Sequence, residues 1–233
     1  MTPVAVAWDI DGTLIDSEPL HLEALQAVCD RHGLNVRGLG DEAFRGVHMF
    51  DTWAALRRQL PADLNRDDWI AEISDTYVDR VYSLAIRPGA IDVVAALSAE
   101  GIRQVCVSNS NRQIVDANIK ALGIERFLEF SISFDDVSVG KPDPEPYLSA
   151  CRRLGCSPDR VIAVEDSRAG VMAARAAGLI VIGYSPSGEP LEDIDVMIAR
   201  LSEIPPLLSK APHLRRLADV RRSAITAPTS SES

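Results

Sequence analysis

The chain has 233 residues, 46% of them hydrophobic and 25% charged, an ordinary globular composition with length enough to bury a core. Its 34 Asp and Glu outnumber its 24 Lys and Arg, and a formal net charge of −10 argues against nucleic acid or an anionic membrane as partner, though not against a locally cationic site. The four cysteines, Cys29, Cys106, Cys151 and Cys156, show no metal-ligand spacing, and no apolar run approaches the ~20 residues of a membrane span, so a reducing, cytoplasmic setting is expected.

Met1 leads almost directly into the apolar run Val4–Asp9, which reads as a buried strand rather than a signal peptide. Pro19 to His32 reads as a helix with Leu20, Ala24, Leu25 and Val28 on one face and Gly33 as its stop. Ser17 is expected first to cap it, with substrate contact as the second reading. From Asp41 to Leu84 the spacing stays helical, through Trp53, Leu56 and Leu60 and then Trp69, Ile73, Tyr77 and Val81, until Pro88-Gly89 breaks it. The texture then changes. Helices are expected at Ala90–Gly101, Asn111–Leu122, Pro144–Leu154 and Ser167–Ala177. Strands are expected at Arg103–Ser108, Glu129–Ser133, Val161–Glu165 and Leu179–Tyr184. Strands alternating with amphipathic helices imply βαβ units and a parallel sheet covered on both faces.

The expected fold is therefore α/β: a Rossmann-like parallel-sheet core interrupted after its first strand by an all-helical insert. The boundaries are 1–15 and 87–208 for the core, 16–86 for the helical part, and 209–233 for a tail that is basic at Arg215, Arg216, Arg221 and Arg222 and then disordered.

Sites in open parallel sheets form beyond the carboxyl ends of the strands, and four polar clusters fall there. They are Asp9-Ile10-Asp11-Gly12-Thr13, Ser108-Asn109-Ser110, Gly140-Lys141-Pro142 and Glu165-Asp166. A single carboxylate at a strand end can merely cap the next helix, but four clusters with complementary chemistry point to a site. Asp9, Asp11, Glu165 and Asp166 gather like charges whose repulsion a hard divalent cation and Lys141 would relieve; an all-oxygen set suits Mg2+ beside a phosphate. Ser108 offers a hydroxyl, and Asn109 backbone and amide donors. A strand-end aspartate beside a metal can attack a phosphoryl group. A second carboxylate two residues on, protonated by its electronegative neighbours, can serve the leaving oxygen and then the attacking water.

At these residues the chain resembles the haloacid dehalogenase superfamily, in its phosphatase and phosphomutase branch. "DIDGTL" at 9–14, "VSNS" at 107–110, "GKPDPEPY" at 140–147 and "VEDSRAG" at 164–170 are similar in order and spacing to its four motifs, over roughly residues 4–205. The resemblance implies Asp9 as nucleophile and Asp11 as general acid/base, with Ser108 and Lys141 on the phosphoryl group. It implies Mg2+ on Asp9, the Asp11 backbone carbonyl and Asp166, with Glu165 a further candidate ligand. The insert resembles the small helical cap of the β-phosphoglucomutase subgroup.

Asp11 is present, which disfavours dehalogenation. No lysine occurs before Lys120, which excludes a cap Schiff base. Glu18 and His21 look like the mutase's hinge residues, but His48-Met49 stand where the mutase has a serine and a phosphate-gripping arginine. Arg45, Arg57 or Arg58 are the remaining candidates to grip a second phosphate. His21 is either a helix-surface residue or a site-edge residue, His48 a loop cover or a specificity residue, and Arg112 a candidate phosphate or substrate contact.

The leading expectation is an Mg2+-dependent phosphatase of a small sugar, polyol or short-acid phosphate, monomeric or dimeric, without nucleic-acid or membrane partners. A β-phosphoglucomutase-like phosphomutase is the alternative, and a phospho-accepting or inactive scaffold the third reading.

Overall fold

The computed structural model describes residues 5–37 and 49–209. The first apolar run forms β1, Ala5–Trp8, buried along its whole length. Side chains alternate across a strand, and here both faces are covered. Val6 and Trp8 enter one apolar core, and Ala5 and Ala7 the opposite one. The same alternation runs through β4 (Arg103–Val107), β6 (Val161–Glu165) and β7 (Ile180–Tyr184). With β5 (Phe130–Ile132) and β8 (Val196–Ile198) these make a six-stranded sheet in the order β5-β4-β1-β6-β7-β8, parallel at every pairing.

Three layers result. Helices α4 (Ala90–Ala99), α5 (Arg112–Leu122) and α8 (Ile204–Ser209) pack on the Val6/Trp8 face; α6 (Glu145–Leu154) and α7 (Arg168–Ala177) pack on the Ala5/Ala7 face. The central position of β1, with β4 on one side and β6 on the other, makes its carboxyl end the topological switch point where sites form.

Between β1 and α4 the chain leaves the sheet. A two-residue antiparallel pair, β2 (Ile15–Asp16) with β3 (Ala85–Ile86), brackets the departure. Arg87 fastens this neck: its backbone N–H donates to the Leu14 carbonyl, its Nε to the Gly12 carbonyl at 3.0 Å and its Nη2 to Asp16 Oδ1 at 3.2 Å. What is described inside the bracket is helical: α1 (Glu18–Arg31), α2 (Met49–Leu56) and α3 (Arg66–Val78). Leu25, Val28, Trp69, Ile73 and Tyr77 form a third apolar cluster there, which reaches the α/β layers through Ile114 of α5.

The expected helices and strands appear with ends shifted by a residue or two. The pairs β2 and β3 and the edge strand β8 were not anticipated, because two or three residues carry no periodicity. Ser17 corrects another expectation. It occupies the N-cap of α1 but makes no capping bond; its hydroxyl donates instead to Asp11 Oδ1 at 2.8 Å. The tail beyond Ser209, with its four arginines, lies outside the described residues, as do Arg45 and His48. Among the described residues no helix is long and apolar enough to cross a membrane, and the four cysteines are free.

The two-faced packing predicts a steep difference along α4. Leu97→Ala, at a fully buried position, should cost about 2–5 kcal/mol in denaturant unfolding, whereas Ile91→Ala, 37% exposed, should cost clearly less.

Candidate active site

Strands β4, β1 and β6 end side by side, and their continuations bring the polar clusters together. Asp9 follows β1, its N–H still in the ladder with the Val164 carbonyl at 3.0 Å. Glu165 closes β6, and Lys141 arrives from the loop after β5. The Lys141 ammonium donates to Asp9 Oδ1 at 2.7 Å, Glu165 Oε1 at 2.6 Å and the Val107 carbonyl at 2.8 Å, which uses its three hydrogens. Both ion pairs are buried. Glu165 is also held by the Tyr147 hydroxyl at 2.5 Å and the Ser167 hydroxyl at 3.2 Å. Gly170 makes room for it: a Cβ there would stand 1.9 Å from the Glu165 carboxylate.

Asp166 follows directly after Glu165. Thr13 donates to its Oδ1 at 3.3 Å. Gly12 backs onto it with φ at +89°, and a Cβ there would fall 2.0 Å from Asp166 Oδ2. Only glycine satisfies both the left-handed turn and this approach.

Asp9, Glu165 and Asp166 each offer an oxygen within 4.8 Å of the others. Two unit charges at about that distance repel by roughly 3 kcal/mol at an effective dielectric of 20. Burial pushes the Asp9 carboxyl well up; Lys141 opposes that, while the charges of Glu165, Asp166 and Asp11 add to it. Burial and then the Glu165 charge raise Asp166 to about 7, against the pull of Lys141 and Thr13. Burial would depress Lys141, but Asp9 and Glu165 outweigh it and hold the ammonium above the ordinary lysine range.

Asp9 Oδ2 is buried and has no hydrogen-bond partner among the described residues. Three carboxylates face one ammonium, so a divalent cation would balance the cluster, and the all-oxygen donors suit Mg2+. The residues present fit that ion.

Asp11 lies in a different environment. Ser108 and Ser110 donate to its Oδ2, each at 2.9 Å. Ser17, Asn118 at 3.0 Å and His21 Nε2 at 3.4 Å donate to its Oδ1. Burial alone would raise this carboxyl, but the donors, His21 foremost, hold it well below the usual carboxylate range. The expectation that electronegative neighbours keep Asp11 protonated is corrected here: its neighbours are donors, and donors favour the ionised form. Behind them, the Tyr77 hydroxyl of α3 donates to Asn118 Oδ1 at 2.8 Å, and the His21 ring stacks on Tyr77 with centroids 4.5 Å apart. Asp11 is thus tied to both α1 and α3.

Asn109 grips the peptide groups of Lys141: its Nδ2 donates to the Lys141 carbonyl at 2.9 Å, and its Oδ1 accepts from the Lys141 N–H at 2.7 Å. Gly140 admits this clamp, since a Cβ there would meet Asn109 Oδ1 at 2.7 Å. Asn109 therefore positions the lysine, where an open amide donor was expected. Arg112, the candidate phosphate or substrate contact, lines the cavity with its guanidinium already engaged. Its guanidinium is taken up by Asp116, the Ser131 hydroxyl and Asp136.

Asp9, Asp11, Glu18, His21, Asn109, Arg112, Lys141 and Asp166 all line one cavity of about 720 Å3 between the inserted helices and the sheet edge. Ser108 and Glu165 stand behind it. His48 lies outside the described residues.

Sequence reasoning did not single out Asn118, Tyr77 or Tyr147 as site residues; Ser110 enters only as part of the cluster after β4, and Ser17 reads first as a cap. Asn118 carried one usable signal, as a lone amide on the otherwise apolar face Ile114, Val115, Ile119 and Leu122 of α5.

A family model described as haloacid dehalogenase-like hydrolase matches residues 4–178. The chain is 32% identical over 216 residues to a phosphoglycolate phosphatase of Cupriavidus necator, covering 89% of this chain and 94% of that one. It is 30% identical over 212 residues to validoxylamine A 7'-phosphate phosphatase of Streptomyces hygroscopicus, covering 84% and 93%. The crystal structure of CbbY from Rhodobacter sphaeroides in complex with phosphate superposes with a TM-score of 0.78 at 27% identity, covering 88% of this chain and 96% of that one.

The raised carboxyls set a pH dependence. In the metal-free protein Asp166 titrates near 7 when folded and near 3.8 when released, so the folded state binds the extra proton between those values. Stability contributed by this group is full below the lower value and is lost as pH rises through the upper one. A cation must displace that proton at low pH and finds the site ionised at high pH. Saturating Mg2+ should therefore raise the melting temperature over an EDTA control by about 5 °C at pH 8 and distinctly less at pH 5.5. An equal shift at both values would contradict this electrostatic picture.

Proposed function

The chain belongs to the haloacid dehalogenase-like hydrolases and is a phosphatase of small phosphate monoesters, and from that premise we propose an Mg2+-dependent hydrolysis through an aspartyl phosphate on Asp9. The observation that carries the mechanism is Asp9 itself. One carboxylate oxygen is fixed by Lys141 at 2.7 Å, and the other is buried at the cavity floor with no partner among the described residues. An oxygen so held is oriented for attack and stripped of competing hydrogen bonds.

Asp9 Oδ2 attacks phosphorus, an Asp9–phosphoryl bond forms, the ester P–O bond breaks, and the departing alkoxide takes a proton from Asp11. In the second half Asp11 takes a proton from water as that water attacks phosphorus, and the Asp9–phosphoryl bond breaks. The donors around Asp11 in this structure stabilise the ionised form, which the second half requires. For the first half the side chain must leave them carrying a proton, and Ser108 is then free to donate to a phosphoryl oxygen. Asp9, Asp166 and the Asp11 backbone carbonyl would hold Mg2+, with Glu165 as a further candidate already engaged by Lys141. When bound, the ion would offset the charge shared by these carboxylates and the transferring phosphoryl group. Lys141, secured by the Asn109 clamp, keeps the remaining charge in balance.

Residues 16–86 act in this reading as a helical cap over a core of 1–15 and 87–208, moving about the β2/β3 neck and excluding water when closed. Glu18 and His21 sit at that neck and line the cavity. Free cysteines support a cytoplasmic setting. Hydrolysis is favoured over mutation because a mutase must grip a second phosphate. Arg57, one candidate for that grip, donates to the carbonyls of Leu60, Pro61 and Ala62 and stacks on Trp53.

Phosphate release from a panel of phosphate monoesters, with Mg2+ and with EDTA, tests the proposal. Wild type should release phosphate only with the cation, and Asp9→Asn should lower turnover at least about a thousandfold. Near-normal turnover by that variant would sink the mechanism.

A further inference from the structure

Resting on the phosphatase reading above, we propose that this cavity selects phosphate monoesters whose alcohol portion is sugar-sized or larger and bears no second anionic group. Size is the first argument. The cavity holds about 720 Å3, within the roughly 300–1,000 Å3 typical of sites for drug-sized ligands. A two-carbon phosphorylated acid would leave most of it to water and gain little binding energy away from the reacting phosphorus, which is the energy that supports turnover.

The walls are the second argument. Phe50 of α2 and Phe134 of the loop after β5 meet edge to face on the cavity wall, centroids 5.7 Å apart, and Ile70 and Ile73 of α3 line the same cavity. These are apolar surfaces contributed from both the helical segment and the sheet edge. They suit the C–H faces of a ring or a polyol chain, and they offer nothing to a carboxylate.

Charge is the third. Beyond Asp9, Asp11 and Asp166 the lining carries three more carboxylates, Glu18, Asp67 and Asp135. Of the described lysines and arginines, Lys141 and Arg112 line the cavity. Lys141 is enclosed by Asp9, Glu165 and the Val107 carbonyl, and Arg112 by Asp116, Asp136 and Ser131. Arg66, near the rim, is paired with Asp67 at 2.8 Å and lies over the Phe50 ring. A second phosphate or a carboxylate would lose its hydration among acidic neighbours without gaining one of these cations. Hydroxyls lose less and can donate to the same carboxylates.

The test compares kcat/KM on three substrates under identical Mg2+ conditions: a hexitol monophosphate, phosphoglycolate and a hexose 1,6-bisphosphate. The hexitol ester should exceed each of the others by at least about tenfold. Phe50→Ala, at a position 40% exposed where truncation spares the fold, should reduce kcat/KM for the hexitol ester several-fold and leave phosphoglycolate nearly unchanged. Equal rates on the three, or preference for the acid or the bisphosphate, would overturn this inference while leaving the phosphatase reading intact. A folded protein that with Mg2+ releases phosphate from none of a broad panel of monoesters would overturn both.

Discussion

The Lys141 ammonium is buried between Asp9 and Glu165, at 2.7 and 2.6 Å, with a backbone carbonyl as its third acceptor. Most of the architecture at the switch point follows from keeping it there. Two buried carboxylates could not share this edge without a cation, because desolvation and mutual repulsion would each cost several kcal/mol. The lysine in turn needs its peptide unit fixed, which Asn109 does with two hydrogen bonds, and Asn109 needs Gly140 to approach that closely. Glu165 needs Tyr147 and the bare backbone of Gly170. Gly12 and Gly170 are thus tied by contact to carboxylates, and Gly140 to the amide that clamps Lys141.

One lysine does not balance three carboxylates. The remainder appears as the raised carboxyls of Asp9 and Asp166, a charge deficit for a divalent cation to meet. Asp11, two residues from Asp9, is held ionised by five donors from three segments of the chain: the start of α1, the loop after β4, and α5. Burial and like charges push Asp9 up while the donors push Asp11 down, so a cation at Asp9 and a proton delivered to Asp11 are what the first half of the proposed reaction must add. Because His21 and, through Asn118, Tyr77 belong to the helical segment, the seating of that segment is felt directly at Asp11. In the proposed reaction this couples water exclusion to proton handling.

Much of this was legible in the sequence. Strand ends are easy to place where an apolar run meets an acidic pair, as at Trp8-Asp9 and Val164-Glu165, and the parallel topology then brings those ends together. Orientation was not legible. The spacing of Asp9 and Asp11 says nothing about which carboxylate faces Lys141 and which faces a ring of hydroxyls, since Gly12 turns the chain between them. Arg112 reads by position as a candidate phosphate or substrate contact, yet Asp116 and Asp136, unremarkable in sequence, pair with it. Tyr77 and Asn118 hide within apolar stripes. Their function comes from hydrogen bonds spanning 41 and 107 residues, beyond any local pattern.

The central claim is that Asp9, oriented by Lys141, takes the phosphoryl group covalently. Rapid acid quenching during turnover of a phosphate monoester, followed by peptide mass analysis, tests it most directly. The account predicts one added phosphoryl group on the peptide containing Asp9, present with substrate and Mg2+ and absent in Asp9→Asn. Turnover at full rate with no phosphorylated peptide, or with the group on another residue, would contradict it.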